Sequence, residues 1–480
     1  MSDCTRWSFR QQIDWFRRAF AQHTQLPFSN VLPAQVVVTA LSSLGVRFYD
    51  SLYNPVTVLW LFLSQVIHAN PTLAVTVECF LAWRLAQGMA PCSADTGAYA
   101  RARQRLPEAL LAMLMRHTGR EADRAAPGQW RWLGRVVKLF DGSTVSMPDT
   151  PENQAAFPQS RTQAPGVGFP LARIGVLFSL AVGTVLDLGI RRWAGKFQSE
   201  LAMLRDMIAL LDAGDVLLTD RFLCSHMEIA LLQGRGVDYV GRMHARRKVD
   251  FRRGQRLGPC DHVVPWIKPR CPEWMSPEVY AALPETLLIR EFRCRIVRRG
   301  YRTRTIVVAT TLLDAEQFPR DEIAALYRLR WEAEINLRSL KVAMNMDVLR
   351  CQTPDMAEKE LLAYLVAYNM IRCLMAQAVA QAGVEMHRLS FKGTVDAVRQ
   401  YTPAIHKARS KAQRQHLCNQ LLQTIMRDLV PCRPHRQEPR AVKRRPKAYQ
   451  LLNKPRHKFR EVSHRCRYYN KDKKKNNALI

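Results

Sequence analysis

The chain has 480 residues, 48% hydrophobic and 24% charged, enough for a sizeable core spread over roughly two to four domains. Its 72 lysines and arginines against 41 acids leave a net charge of +31, and self-repulsion of that size opposes compact folding unless a polyanion neutralises it. Nucleic acid is the first expected partner and an acidic membrane surface the second. A spanning segment is argued against, because the run V56-T-V-L-W-L-F-L-S-Q-V-I67 is too short for a bilayer and is broken by Ser64 and Gln65.

The N-terminus, M1-S-D-C-T-R-W7, shows no apolar run behind a basic start, so no secretory signal is visible. Twelve cysteines are scattered without a single Cys-x-x-Cys, the pattern of reduced thiols in a cytoplasm. Cys260, His262 and Cys271 come nearest to a ligand cluster. Zinc there competes with a plain surface loop.

Residues 1–128 read as a helical, DNA-binding domain. A helix opening at the capping residue Ser93 carries Arg101, Arg103 and Arg105. These either lie against DNA phosphates or form a solvated basic face.

Strands begin near residue 130. R135-V-V-K-L-F-D-G-S-T-V-S-M147 has two apolar runs around Asp-Gly, the signature of a hairpin. L171 to I190 repeats the pattern around Gly-Thr, and E200-L-A-M-L-R-D-M-I-A-L-L211 has helical spacing. The short strand V216-L-L-T-D220, a helix at 222–234 and the strand V237-D-Y-V-G-R-M243 follow. Three strands, helix, strand, helix, strand is the order of an α/β, ribonuclease-H-like catalytic core, a mixed sheet flanked by helices, here over 129–243.

Residues 244–318 read as an inserted β subdomain, and 319–385 return to the core. That second part holds a helix from Pro319 and another, buried, from Thr353-Pro354 to Ala382. Residues 386–480 read as helical, then as a basic tail. Between 431 and 475 stand 17 lysines and arginines and 3 acids. Without apolar periodicity that tail is expected to be disordered when free and to contact phosphates non-specifically.

Three acids can meet in such a core. Asp141 is expected to end the first strand, Asp220 to end the fourth, and Glu334 to lie on the later helix. Strand ends at one sheet edge share a crevice, and three carboxylates there repel unless cations join them. Hard oxygen ligands select Mg²⁺ or Mn²⁺, and two such ions suit phosphodiester chemistry. Each acid also has an ordinary reading: Asp141 as a turn residue, Asp220 as a helix cap, Glu334 as an i,i+4 partner of Arg330 or Arg338.

Along Y327-R-L-R-W-E-A-E-I-N-L-R-S-L-K341, Tyr327, Arg330, Glu334 and Lys341 fall within an arc of about 60° on a regular helix. One acid between two bases and a phenol suits an anionic ligand, with Arg330 and Lys341 neutralising phosphates and Tyr327 donating to one.

This Y-x2-R-x3-E-x6-K spacing, after two strand-terminal aspartates, resembles the IS-four family of insertion-sequence transposases, the DDE transposases with a YREK signature. D141-G-S-T-V-S-M-P-D-T-P-E-N153 and G166-V-G-F-P-L-A-R173 look like the family's first-aspartate region. L218-T-D-R-F-L-C-S225 looks like its second block, and P439-R-A-V-K-R-R-P-K-A-Y449 with N453-K-P-R-H-K-F-R-E461 like the closing segment of one branch. The resemblance implies that Asp141, Asp220 and Glu334 bind metal and that Tyr327, Arg330 and Lys341 contact DNA at the cleaved end. It implies binding of terminal inverted repeats, cleavage at each end and joining of 3′-hydroxyls to target DNA, with a hairpin route for the flanking strand. It further implies a homodimer in a synaptic complex and a nucleoid-associated bacterial protein with no membrane partner. Phe222 departs from the pattern, since many members place a small residue there. Trp266 and Trp274 are candidates to stack on a flipped base, against a structural role. A nuclease without strand transfer and a non-catalytic DNA-binding descendant are the competing readings.

Overall fold

A computed structural model describes residues 31–47, 51–296, 304–382, 385–408, 410–431, 452 and 454–459. Five helices open it: α1 (Ala34–Ser43), α2 (Pro55–Ile67), α3 (Leu73–Ala86), α4 (Gly97–Arg105) and α5 (Glu108–Arg124). Asn54 starts α2 by accepting from the backbone N–H groups of Val56 (3.1 Å) and Thr57 (3.0 Å), with Pro55 at the first helical position. α4 starts at Gly97, later than Ser93, because the Asp95 carboxylate takes the Gly97 N–H at 3.1 Å and holds the chain in a turn before it.

Nine strands form one sheet in the order β3-β2-β1-β4-β5-β9-β8-β7-β6. They are β1 (Val137–Ser146), β2 (Leu171–Ser179), β3 (Val185–Arg192), β4 (Val216–Thr219), β5 (Asp238–Arg242), β6 (Gln255–Gly258), β7 (Asp261–Ile267), β8 (Thr286–Ile296) and β9 (Arg304–Thr310). β1, β4 and β5 are parallel neighbours, while β1–β2 and β2–β3 are antiparallel. This is the ribonuclease-H-like order expected from the element sequence. Between β1 and β2 lies α6 (Pro151–Ala156); α7 (Glu200–Ile208) and α8 (His226–Gln233) flank β4.

The Asp141-Gly142 pair is not a turn. β1 runs straight through it, with Asp141 opposite Val176 and Gly142 opposite Gly175. Asp-Gly forms a hairpin only where the chain can double back on itself, and here β2 already occupies that hydrogen-bonding edge. The second expected hairpin, β2–β3, is present.

The segment between β5 and the later helices is β-rich as expected, and its strands extend the core sheet, β9 pairing antiparallel with β5. Inside it Arg290 makes a two-pronged pair with Asp261 (2.9 and 2.6 Å), and both side chains are buried. A short helix, α9 (Pro277–Ala282), lies between β7 and β8, and after β9 come α10 (Arg320–Leu329), α11 (Trp331–Arg338), a π-helical turn (Ser339–Ala343), α12 (Pro354–Ala382), α13 (Phe391–Lys407) and α14 (Lys411–Arg427).

Strand alternation sends side chains to two cores. Leu139, Val145, Val176 and Phe178 join one with α2, α5 and α12; Phe140, Leu177 and Leu217 join the other with Met203 and Leu204 of α7. Asn369, in the middle of α12, accepts from Val185 N–H at 2.7 Å and donates to the carbonyls of Met115 (3.0 Å) and Val185 (2.9 Å). One amide thus joins α12, α5 and β3. By length and composition Pro354–Ala380 could cross a membrane, yet 89% of its most apolar window is buried inside the protein.

Most of the basic tail lies outside the described residues. The short piece at 454–459 is anchored: Arg456 pairs with Asp149 and Gly168, and its N–H donates to the Gly166 carbonyl at 3.0 Å.

Candidate active site

The parallel register of β1 and β4 builds the site. Leu139 stands opposite Leu218, an offset of 218 − 139 = 79 residues. Asp141 and Asp220 have the same offset, 220 − 141 = 79, so both aspartates lie two residues past the last pair, where β4 has ended and β1 continues. Asp141 therefore faces the crevice at a strand end although its own strand does not stop.

Asp220 begins a 3₁₀ turn over Arg221–Leu223, and its Oδ1 accepts the Phe222 N–H at 2.8 Å. The capping role open to it from sequence is real, and it fixes the carboxylate at the β4 terminus. Asp141 accepts its neighbour's N–H, from Gly142, at 2.9 Å. Burial pushes the Asp141 carboxyl up from 3.8 to about 6; the Gly142 N–H and Arg330 oppose the rise, while the charges of Asp220 and Glu334 add to it. These groups share one electrostatic neighbourhood.

Glu334 reaches the crevice from α11, which packs on β1. Arg330 Nη2 donates to Glu334 Oε1 at 2.6 Å. The Tyr327–Lys341 stretch is not one regular helix. It breaks between α10 and α11 at Arg330, where three-residue hydrogen bonds (Arg330 N to Tyr327 O, 3.2 Å; Ala333 N to Arg330 O, 3.1 Å) replace the α ladder, and Lys341 lies in the π turn. Tertiary packing overrides the ideal stripe, and its members still face the sheet. Lys341 Nζ donates to Ser143 Oγ (3.2 Å) and to the Thr144 carbonyl (2.9 Å). Burial pushes the Tyr327 phenol up to about 12, with Arg330 and Arg242 pulling it down and Asp220 adding to the rise.

The three carboxylates, one of them a buried acid held back from ionising, are of the donor type that a hard cation takes. As the side chains stand, Glu334 is turned onto Arg330, and among the described residues no three acid, histidine or cysteine side chains gather closely enough to hold a metal. Cys260, His262 and Cys271 are likewise not gathered. Cys260 takes a left-handed φ of 53° in the β6–β7 turn, and buried His262 is engaged by the Arg253 carbonyl (2.7 Å) and Glu291 (3.3 Å).

Trp266 is structural: it is buried, donates to Glu291 Oε1 at 2.7 Å and carries the Arg247 guanidinium 3.6 Å from its ring centre. Arg205 covers Trp274 in the same way at 3.7 Å. Phe222, by contrast, is 48% exposed beside Asp220. Of the three arginines on α4, Arg103 turns inward, donating to Gln65 Oε1 at 2.9 Å with its guanidinium 4.5 Å from the Phe62 ring centre. Only Arg101 and Arg105 are exposed.

Sequence reasoning missed Arg242, at the end of β5 beside Tyr327, and a basic cleft of about 350 Å³ lined by Arg161, Arg192, Lys196 and glutamines 159 and 198. No local pattern marks either one. The Arg192–Gln198 side of the cleft lies just ahead of α7.

A family model described as the transposase DDE domain matches residues 132–370. The transposase InsG of insertion sequence element IS4, from Escherichia coli strain K12, is 26% identical over 362 residues, 72% of this chain and 76% of that protein. The transposase of insertion sequence element IS421, from Escherichia coli, is 32% identical over 65 residues, 14% of this chain and 18% of that one. A cryo-EM structure of a piggyBac transposase synaptic complex with hairpin DNA aligns at TM-score 0.43 and 8% identity, over 83% of this chain and 84% of that chain. The match to the DDE domain spans both aspartates and the glutamate, and with the relationship to InsG it places the chain: it belongs to the IS4 family of DDE transposases, enzymes that cut and join DNA strands at the ends of insertion sequences.

Proposed function

We propose that Asp141, Asp220 and Glu334 are the carboxylates that serve the divalent cation on which a DDE transposase depends, and that Tyr327, Arg330 and Lys341 hold the DNA at the cleaved end. The observation that carries this reading is the shared 79-residue offset, which sets the two aspartates side by side where β4 ends. Bound there, Mg²⁺ or Mn²⁺, two ions in this reading, would activate the attacking oxygen and stabilise the leaving one.

The protein's own contribution is positioning and charge. Arg330 and Lys341 neutralise phosphate oxygens. Tyr327 stays a neutral donor at all physiological pH values, since its phenol is pushed up to about 12. Glu334, now paired with Arg330 at 2.6 Å, would be freed to hold the cation if DNA drew the guanidinium to a phosphate. Water attacks the scissile phosphorus at each end and frees a 3′-hydroxyl. That hydroxyl then attacks a target phosphorus, and the P–O bond to the target's own 3′ oxygen breaks, with no protein–DNA bond at any stage.

Two ends must be held together, so the active form is a dimer assembled on terminal inverted repeats. Residues 1–128 and 386–480 serve as DNA-contacting parts around the core of 129–243 and 319–385, with 244–318 inserted. The setting is a bacterial cytoplasm, at the nucleoid and away from membranes.

The test is cleavage of an end-labelled duplex carrying the element's own terminal repeat, with and without Mg²⁺. Breakage at the repeat boundary, dependent on metal and lost in Asp141→Ala, is expected. Tight repeat binding without breakage in Mg²⁺ or Mn²⁺, or cutting retained by Asp141→Ala, overturns the assignment.

A further inference from the structure

The basic cleft beside α7 lies at the same end and on the same face of the sheet as the acid crevice. Asp141 pairs with Val176, and Arg192, which lines the cleft, pairs with Ala172. Val176 and Ala172 belong to one core, and paired residues share a face, so Arg192 stands on the face of Asp141. Ala172 pairs in turn with Val145, further along β1 in the direction in which β4 has ended. Four residues at about 3.4 Å and two strand spacings of about 4.8 Å set the Arg192 backbone about 17 Å from that of Asp141. One strand of B-form DNA passes about five phosphates over that length.

What the cleft offers a ligand is positive charge. Arg161, Arg192 and Lys196 are exposed there, and none of the described lining residues is an acid. Lys196 meets Glu273 at 2.5 Å, but with side chains 73% and 71% exposed that pair is weak and easily exchanged. The two glutamines are engaged with backbone. Gln159 accepts the Gly168 N–H (2.9 Å) and donates to the Ala164 carbonyl (3.0 Å). Gln198 accepts the Arg192 N–H (3.2 Å) and donates to the Lys196 carbonyl (3.3 Å). Their amides are turned to the chain rather than to a base edge. Gln198 also steadies the loop in which exposed Phe197 takes a left-handed φ of 60°, a conformation that a bulky residue keeps only where its surroundings impose it. The anchored tail piece adjoins the cleft: Arg456 Nη1 donates to Gln159 Oε1 at 3.3 Å, and Lys454 and Lys458 on that piece are exposed.

We infer that this cleft holds the sugar–phosphate backbone of the target duplex, with Arg161, Arg192 and Lys196 on its phosphates, and so leads that duplex to the acid crevice. The inference rests on the proposed function above for the identity of the DNA. An element end is fixed in sequence and is recognised at base edges, whereas cations without a base reader suit DNA taken for its backbone. Gln198 is then a positioning residue, since its two bonds tie the loop that carries Lys196 to the end of β3.

The experiment measures capture of a fluorescent duplex without repeat sequence by the full chain already saturated with terminal-repeat duplex. It is run in chelator over a series of salt concentrations, with unfolding temperature as a fold check. The triple variant Arg161→Gln, Arg192→Gln, Lys196→Gln is compared with the wild type, and Arg161→Gln alone serves if the triple variant unfolds. The slope of log affinity against log salt should fall by about 2 to 3 in the triple variant and by about 1 in the single one. Affinity for the terminal repeat should stay within about twofold. An unchanged slope overturns the inference. So does a slope lost on the terminal repeat in place of the repeat-free duplex, which would make the cleft a contact of the element end. Cleavage by Asp141→Ala in Mg²⁺ is scored separately: cutting retained there overturns the proposed function, while capture, read without metal, still decides whether the cleft holds DNA.

Discussion

Arg330 and Glu334 form an ion pair at 2.6 Å, with Arg330 at the break between α10 and α11 and Glu334 in the first turn of α11. The pair stands within the electrostatic reach of Asp141, so the cation expected at Glu334 competes with a guanidinium already in place. On the proposed reading of Glu334 as the third acid, this pairing keeps the crevice from carrying three unbalanced charges before DNA and metal arrive.

Because the Glu334 side chain is 38% exposed, its pair with Arg330 contributes little to stability, below about 0.5 kcal/mol for an i,i+4 pair in solvent. Glu334→Gln should unfold within a degree or two of the wild type and bind repeat DNA within about twofold. Its rate of end cleavage should fall about a thousandfold or more. Unfolding curves, gel shifts and single-turnover cleavage on the same preparation check the three parts.

Asp141 gives a pH signature. Its carboxyl titrates near 6 in the fold against 3.8 when unperturbed, burial being the main cause. A raised acid binds its proton on folding, so the fold loses stability as pH rises from about 4 to about 6 and carries the cost above that window. The shift corresponds to at most about 3 kcal/mol. In chelator, Asp141→Asn should therefore unfold several degrees above the wild type at pH 8, with the advantage gone near pH 4. Saturating Mg²⁺ should narrow the gap at pH 8 by stabilising only the wild type.

Lys341 is held by Ser143 and the Thr144 carbonyl on β1. If it also meets a phosphate, Lys341→Ala should lower the slope of log affinity against log salt by about 1. A purely structural lysine would leave the slope unchanged and show only a stability loss of about 1 to 2 kcal/mol. Titrations at several salt concentrations separate the two.

Arg103 should behave in the opposite way. It is buried against Phe62 and bonded to Gln65, so Arg103→Ala should cost about 3 kcal/mol through a cavity and stranded polar atoms. Its salt slope should match the wild type. Exposed Arg101→Ala should leave stability almost untouched, and a flatter salt dependence there would place α4 on DNA. Denaturant curves and salt titrations of both variants are the check.

The local pattern of the chain determined what depends on near neighbours. Strand and helix order, the cap at Asn54, the long α12 and the spacing of Tyr327, Arg330, Glu334 and Lys341 follow from steric periodicity and short-range hydrogen bonds, and these are written in consecutive residues. The sequence also carried Asp141 and Asp220 as candidates. It misread Asp141-Gly142 as a turn and Arg103 as a surface charge, because neither the strand paired alongside nor the side a helix buries is a local property. Only the tertiary structure decided that the inserted strands extend the core sheet, that the two aspartates stand at equal height past β4, and that Arg330 holds Glu334. Each of these contacts joins residues distant in the chain or depends on packing against a third element, and only the closing of the sheet and its two cores brings them together.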